Sequence, residues 1–179
     1  RTQEDRGKYN TDVFRREALY FMNEHLGRKP LFLYLAFNAP HSASSLPEDT
    51  AAGQQKRGVG VQAPEEYVAM YRDTVKDEKL ARYYAAVTCM DDAIGEIMET
   101  VEKAGQSENT LFLFLSDNGG SGNGGNAPLR GSKSTMWEGG LRVPFIACWP
   151  GKLPAGKVTN EFITSLELVP TLLGVTETT

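Results

Sequence analysis

The chain has 179 residues, 40% of them apolar and 23% charged, with a formal net charge of −4. That length can bury the core of one globular domain, and that composition excludes a disordered chain. The acidic balance offers no nucleic-acid footprint, which needs a basic excess, and no apolar run approaches the ~18 residues of a membrane span.

The first residues, Arg1-Thr2-Gln3-Glu4-Asp5-Arg6, contain no apolar stretch and no initiator Met, so no signal peptide is read here. The expectation is a fragment or a processed chain. Thr11-Asp12 followed by Val13, Phe14, Ala18, Leu19, Phe21 and Met22 predicts a capped amphipathic helix ending near Gly27. Residues Leu31 to Ala36 then form a continuous apolar run, as in a strand of a parallel sheet covered on both faces. Asn38 to Gly60 is rich in Ser, Pro and Gly and reads as a long loop, of the kind that often borders a site. From Asp77 to Ala104, Leu80, Tyr83, Tyr84, Val87, Met90, Ile94, Ile97, Met98 and Val101 recur at helical spacing, and Gly105 is a stop. Thr110 to Leu115 predicts a second buried strand, Ser116 to Ser134 a glycine-rich loop, Val143 to Trp149 a third strand, and Leu166 to Leu173 a short helix containing Pro170.

Helix and strand alternate, which predicts a single α/β domain, a three-layer sandwich with a mostly parallel central sheet and helices on both faces. No repeat or linker interrupts it. The two cysteines, Cys89 and Cys148, are too few for a disulfide framework and read as small apolar fillers.

Three clusters can carry chemistry. Ser116-Asp117-Asn118-Gly119 directly follows a predicted strand, and ligands of open α/β sheets bind beyond the carboxyl ends of strands. Asp117 and Asn118 offer the oxygen donors that Ca²⁺ and Mg²⁺ take. An Asx turn ending a strand would use the same residues. Pro40-His41 follows another predicted strand. His41 is either a polar surface residue or a group that handles a proton. His25, the only other histidine, reads as a surface or helix-end residue. The third cluster is Leu129-Arg130-Gly131-Ser132-Lys133-Ser134, in which small residues let an anion approach the Lys133 ammonium. Gly125 to Ser134 is not a P-loop, because Ser132 stands where that motif needs Gly.

In series, these segments resemble the sulfatase family of the alkaline-phosphatase-like superfamily. The resemblance rests on Leu33-Tyr34 through Pro40-His41, Tyr83 through Gly95, Leu115-Ser116-Asp117-Asn118-Gly119, and Leu129-Arg130-Gly131-Ser132-Lys133 with Trp137-Glu138-Gly139-Gly140-Leu141-Arg142-Val143-Pro144. Trp149-Pro150-Gly151 and Leu168-Val169-Pro170-Thr171-Leu172-Leu173 continue it.

The resemblance implies that Asp117 and Asn118 ligate a divalent cation, Ca²⁺ or Mg²⁺, and that Lys133 contacts the sulfate group. It places His41 near the bridging ester oxygen, and makes the Gly139-Gly140 pair and Arg142 structural. The family's nucleophile is a formylglycine made from a Cys or Ser in a Cys-x-Pro-x-Arg-type motif near the start of the full protein, alongside the remaining metal-binding aspartates. On this reading, residues 1–179 are the later part of a catalytic domain whose N-terminal strands and C-terminal subdomain are absent. The chain as given then lacks the nucleophile and is inactive alone.

Cys148-Trp149-Pro150-Gly151-Lys152 is a near match to the nucleophile motif, but it sits in the Trp-Pro-Gly block, and Cys148 is expected to face the sheet interior. Asp91-Asp92 falls in the long helix and is expected to face solvent or to make a structural hydrogen bond. Two departures stand out. Ala43 occupies a position where the family commonly has Pro, and Glu167 one where Asp is usual.

The expected activity is sulfate-ester hydrolysis by attack of hydrated formylglycine at sulfur, on a sulfated small molecule or glycan. Rival readings are a phosphodiesterase or phosphonate hydrolase of the same architecture, and a non-catalytic metal- or anion-binding module. An open sheet edge would invite self-association. Compartment is unknown from the residues; the family resemblance implies a periplasmic or secreted protein.

Overall fold

The computed structural model describes residue 5, residues 7–42 and residues 60–177. In chain order the elements are α1 (Asn10–His25), α2 (Glu65–Ala69), α3 (Glu78–Lys103), β1 (Phe112–Leu115), α4 (Glu138–Leu141), β2 (Phe145–Cys148) and α5 (Leu168–Val175). Short 3-10 turns lie at Ser107–Asn109 and Ser165–Glu167. Most of the predicted loop between Asn38 and Gly60 lies outside the described residues.

Helix α3 forms where its signals place it. The Asp77 carboxylate accepts the Lys79 and Leu80 N–H groups at 2.9 and 3.3 Å, satisfying donors that the first turn leaves open. Gly105, at φ +66°, takes the left-handed conformation that ends the helix. Ala81, Ala85, Ala86, Cys89, Ala93, Ile97 and Val101 are buried along one stripe. Helix α1 lies against that stripe, with Ala18 and Met22 meeting Ile97 and Val101. Its predicted cap is corrected: Tyr9 is the N-cap and makes no side-chain cap bond. Thr11 is instead inside the helix and only 1% exposed. At the other end the Leu26 N–H reaches the Met22 carbonyl at 2.7 Å, and Gly27 has φ +73°.

Residues 31–36 are not a buried strand among the described residues. They run extended without ladder partners, and their sides differ. Leu31, Leu35 and Phe37 pack on the α1–α3 core, whereas Phe32 and Tyr34 are 74% and 80% exposed. The continuous apolar run therefore has one covered face and one open face, the two-residue period of extended chain.

β1 and β2 do pair, but antiparallel, with Phe112 opposite Cys148 and Leu115 opposite Phe145. Two antiparallel strands replace the mostly parallel sheet expected over the described residues. A parallel pair needs a long crossover, usually a helix packed on the sheet. The connection here folds back on itself instead. The Trp149 indole N–H holds the far end of β2 to the Glu108 carbonyl at 2.9 Å.

Helix α5 begins at Leu168, behind a capping box in which Glu167 accepts the Thr164 N–H and, at 2.9 Å, its hydroxyl. Pro170 lies in the first turn, where a missing N–H costs little. The Thr164 N–H, and then its hydroxyl, hold the Glu167 carboxyl below the usual carboxylate range. The folded value is the lower one, so the cap is complete above that range and is lost as pH falls through the lowered value. Glu167→Gln keeps the box without the titration. Its Thr164 and Leu166 amide signals should hold still as pH falls through and below the ordinary carboxylate range, where those of the native chain move.

Candidate anion and metal site

The site is built from the 29 residues between β1 and β2, residues 116–144, whose two ends meet. Beyond Leu115 the ladder runs on: the Ser116 N–H reaches the Pro144 carbonyl at 3.3 Å, and the Gly119 N–H reaches the Gly140 carbonyl at 3.0 Å. The Ser116 hydroxyl donates to the Asn118 carbonyl at 2.9 Å, curling the chain around Asp117. The turn is closed by the serine hydroxyl, not by the Asp or Asn side chain of the Asx turn expected from composition, and it presents Asp117 exposed and Asn118 half-buried.

Glycines make the next contact. A Cβ on Gly119 would stand 1.8 Å from the Gly139 carbonyl oxygen, and one on Gly139 would stand 2.4 Å from the Gly131 carbonyl oxygen. One on Gly140 would stand 2.3 Å from the Thr135 carbonyl oxygen. Main chain touches main chain at all three, so no side chain fits without displacement. The Gly139 N–H reaches the Arg130 carbonyl at 2.7 Å. The pair Gly139-Gly140 thus packs the loop, as the resemblance implies. Arg142 sits on the surface, 3.8 Å from Glu138.

Lys133 enters from the other side. Its N–H donates to the Gly120 carbonyl at 3.1 Å, which sets its main chain beside the turn that holds Asp117 and Asn118. The Thr135 hydroxyl donates to the Ser132 carbonyl at 2.7 Å and accepts the Ser132 N–H at 3.1 Å, closing a tight turn around Lys133. Ser134, next to it, has φ +68°, an uncommon conformation for a residue with a side chain. The Arg130 guanidinium stacks 3.7 Å over the Trp137 ring and stiffens the same segment.

Asp117, Asn118 and Lys133 thus come from two loop segments joined at Gly120. His41 is exposed, and its hydrogen bonds are local. Its N–H reaches the Asn38 carbonyl at 2.8 Å, and ring Nδ1 donates to the Ser42 carbonyl at 2.9 Å. A carbonyl can only accept, so Nδ1 carries a proton and Nε2 is the nitrogen left for a ligand.

Asp117 and Asn118 suit a hard cation, since both present oxygen. Among the described residues, no three His, Cys, Asp or Glu side chains gather to hold a metal. Ca²⁺ takes roughly six to eight oxygens, so this pair alone would not complete a ligand set.

The two motifs set aside in the sequence lie on α3 and β2. Asp91 and Asp92 are both exposed on α3, and Asp92 accepts a hydrogen bond from Tyr67. Burial first, and then that bond, raise the Tyr67 hydroxyl above its ordinary value. Cys148 is half-buried in β2 and faces α3 across a cavity of about 430 Å³ that Gly95, Met98 and Phe112 also line. Cys89 is buried in α3, where burial pushes its thiol up to about 11, the behaviour of an inert filler. Sequence reasoning missed Asn126, which hydrogen-bonds Gly120 through both ends of its carboxamide. An amide among glycines, able to donate and accept at once, was the available signal.

The acid–amide pair at the end of β1 and the lysine whose main chain is strapped to Gly120 thus lie on one glycine-packed loop. The Sulfatase family model matches residues 1–178, and the chain belongs to that family. It is 33% identical over 175 residues to mouse arylsulfatase J, covering 97% of this chain and 26% of that protein. It is 31% identical over 172 residues to mouse N-acetylgalactosamine-6-sulfatase, covering 92% and 28%. Among solved structures, Ps i-CgsB in complex with k-i-k-neocarrahexaose superposes with a TM-score of 0.82 at 34% identity, over 96% of this chain and 35% of that one. The chain therefore spans about a quarter of the length of these curated relatives.

Proposed function

We propose that the protein to which these residues belong hydrolyses sulfate esters, and that this chain supplies the sulfate-binding lysine, part of the cation site and the group that assists the leaving alcohol. The observation that carries the reading is the strap from the Lys133 N–H to the Gly120 carbonyl, which fixes the lysine's main chain beside the turn that bears Asp117 and Asn118. Lys133 binds sulfate oxygens and offsets the charge that grows on them as the S–O bond breaks. His41, with Nδ1 donating to Ser42, offers Nε2 at the bridging oxygen; in its imidazolium form it gives the Nε2 proton to the departing alcohol and is left as the neutral Nδ1–H tautomer. Asp117 and Asn118 hold Ca²⁺ or Mg²⁺, which supplies positive charge at the sulfate. A formylglycine from outside these residues supplies the nucleophile.

The substrate class is a sulfated small molecule or glycan. The amino-sugar sulfatase among the relatives and the neocarrahexaose held by the structural neighbour support the glycan branch. On this reading, residues 1–179 are the later part of one catalytic domain. The three-layer sandwich is completed when further strands meet the extended segment 31–37 and a second layer covers Phe32 and Tyr34. Turnover by the whole protein of an aryl sulfate against the matching aryl phosphate tests the assignment. A preference for the phosphate would move it to the phosphodiesterase branch.

Calcium titration of the 179-residue chain tests the shared metal site. With only Asp117 and Asn118 contributing, the dissociation constant should be about 10⁻³ M or weaker. Micromolar binding abolished by Asp117→Ala would show that the ligand set is complete within these residues.

A further inference from the structure

Asn126 lies half-buried in the glycine-rich loop and spends its whole carboxamide on main chain. Its Oδ1 accepts the Gly120 N–H at 2.8 Å; its Nδ2 donates to the Gly120 carbonyl at 2.8 Å and to the Gly131 carbonyl at 3.3 Å. The Gly120 carbonyl is also the acceptor for the Lys133 N–H, at 3.1 Å. One side chain therefore brackets Gly120 from both polar ends and reaches across to the segment that carries Lys133.

We propose that Asn126 is a positioning residue that fixes the main chain of Lys133 against the Asp117–Asn118 turn. The inference rests on the sulfatase reading for its effect on turnover, but not for its effect on the loop. Only a carboxamide suits the place. It must accept from an N–H and donate to two carbonyls, and the Gly120 peptide offers it both polar groups, as a neighbouring strand would. A carboxylate of the same shape keeps the acceptor, loses both donors and sets negative charge against two carbonyl oxygens. Alanine leaves the Gly120 N–H and the Gly131 carbonyl to water, and the Gly120 carbonyl with the Lys133 N–H alone. Gly120 cannot compensate by substitution, because a Cβ there would stand 2.5 Å from the Gly124 carbonyl oxygen.

The test is a double-substitution cycle in the whole protein, read as kcat and KM on a sulfate ester. Asn126→Asp is expected to lower kcat about 10- to 100-fold with a smaller change in KM, the usual cost of losing a group that orients a ligand. In a Lys133→Ala background the same change should add less than about twofold, because the group it positions is gone. Two results overturn the proposal: an unchanged kcat in Asn126→Asp, or losses that multiply in full. A second readout needs no activity. Amide exchange at Lys133 should accelerate in both Asn126→Asp and Asn126→Ala, while the amides of α3 exchange as in the native protein. Unchanged Lys133 exchange, or an equal loss of protection in α3, overturns the assignment. Failure of the sulfatase reading is distinguishable, since Lys133→Ala alone would then leave turnover intact whatever the exchange data show.

Discussion

Lys133→Ala in the whole protein is expected to lower kcat about 10²- to 10³-fold on sulfate esters, the cost of removing one charge-stabilising donor from an oxyanion site. The size follows from its surroundings. The side chain is half-buried, its main chain is fixed to Gly120, and the turn closed by Thr135 allows little drift. No other lysine is strapped to that turn among the described residues. Lys133→Arg should recover only part of the loss, because a planar fork on a longer stem presents its charge at a different point. Steady-state kinetics on both variants check this. A near-native rate in Lys133→Ala would remove Lys133 from the chemistry and with it the proposed site.

The second large effect is on folding. Gly119→Ala puts a methyl group 1.8 Å from the Gly139 carbonyl oxygen and 2.8 Å from the Gly140 Cα, all backbone atoms that no rotamer change can clear. The loop must open at the contact where the Gly119 N–H meets the Gly140 carbonyl. Overpacking of this kind costs about 1–3 kcal/mol or more. At this chain length that lowers the midpoint of thermal unfolding by roughly 2–4 °C per kcal/mol. Gly125→Ala, where a Cβ meets nothing within 4 Å, is the control and should stay within about 0.5 kcal/mol of native. Equal midpoints for the two variants would show that the close glycine packing is not maintained in solution.

The parts of this fold legible in sequence were those decided locally. Helix α3 carries its own start at Asp77 and its own stop at Gly105, so its bounds could be read within a residue. The end of α1 at Gly27 was equally visible. Its start was not, because Thr11 resembles a cap by type and is drawn inside by packing. The strands depended on partners. Residues 31–37 have strand composition, but pairing is a property of two segments, and no ladder forms there among the described residues. The direction of β2 was hidden for the same reason. Helix α4 was invisible because Glu138-Gly139-Gly140-Leu141 has poor helix propensity. Its glycines are required by contacts with residues 119, 131 and 135, which no local window contains. The candidate site followed the same rule. Asp117, Asn118, Lys133 and His41 were named from type and position. The strap through Gly120 and the bracket by Asn126 appear only once the loop is folded.

The antiparallel pairing of β1 with β2 has a consequence for how such a protein can change. Leu115 and Phe145 stand opposite each other, so residues 116–144 leave the sheet and return to it at one point. The segment is a detachable cassette with both feet in a single rung. Its length and tip can vary without shifting the register of either strand, and its internal bonds travel with it. Transplanting residues 116–144 between relatives should therefore carry a binding preference from one scaffold to another, whereas moving either half alone would separate Gly119 from Gly140 and carry nothing.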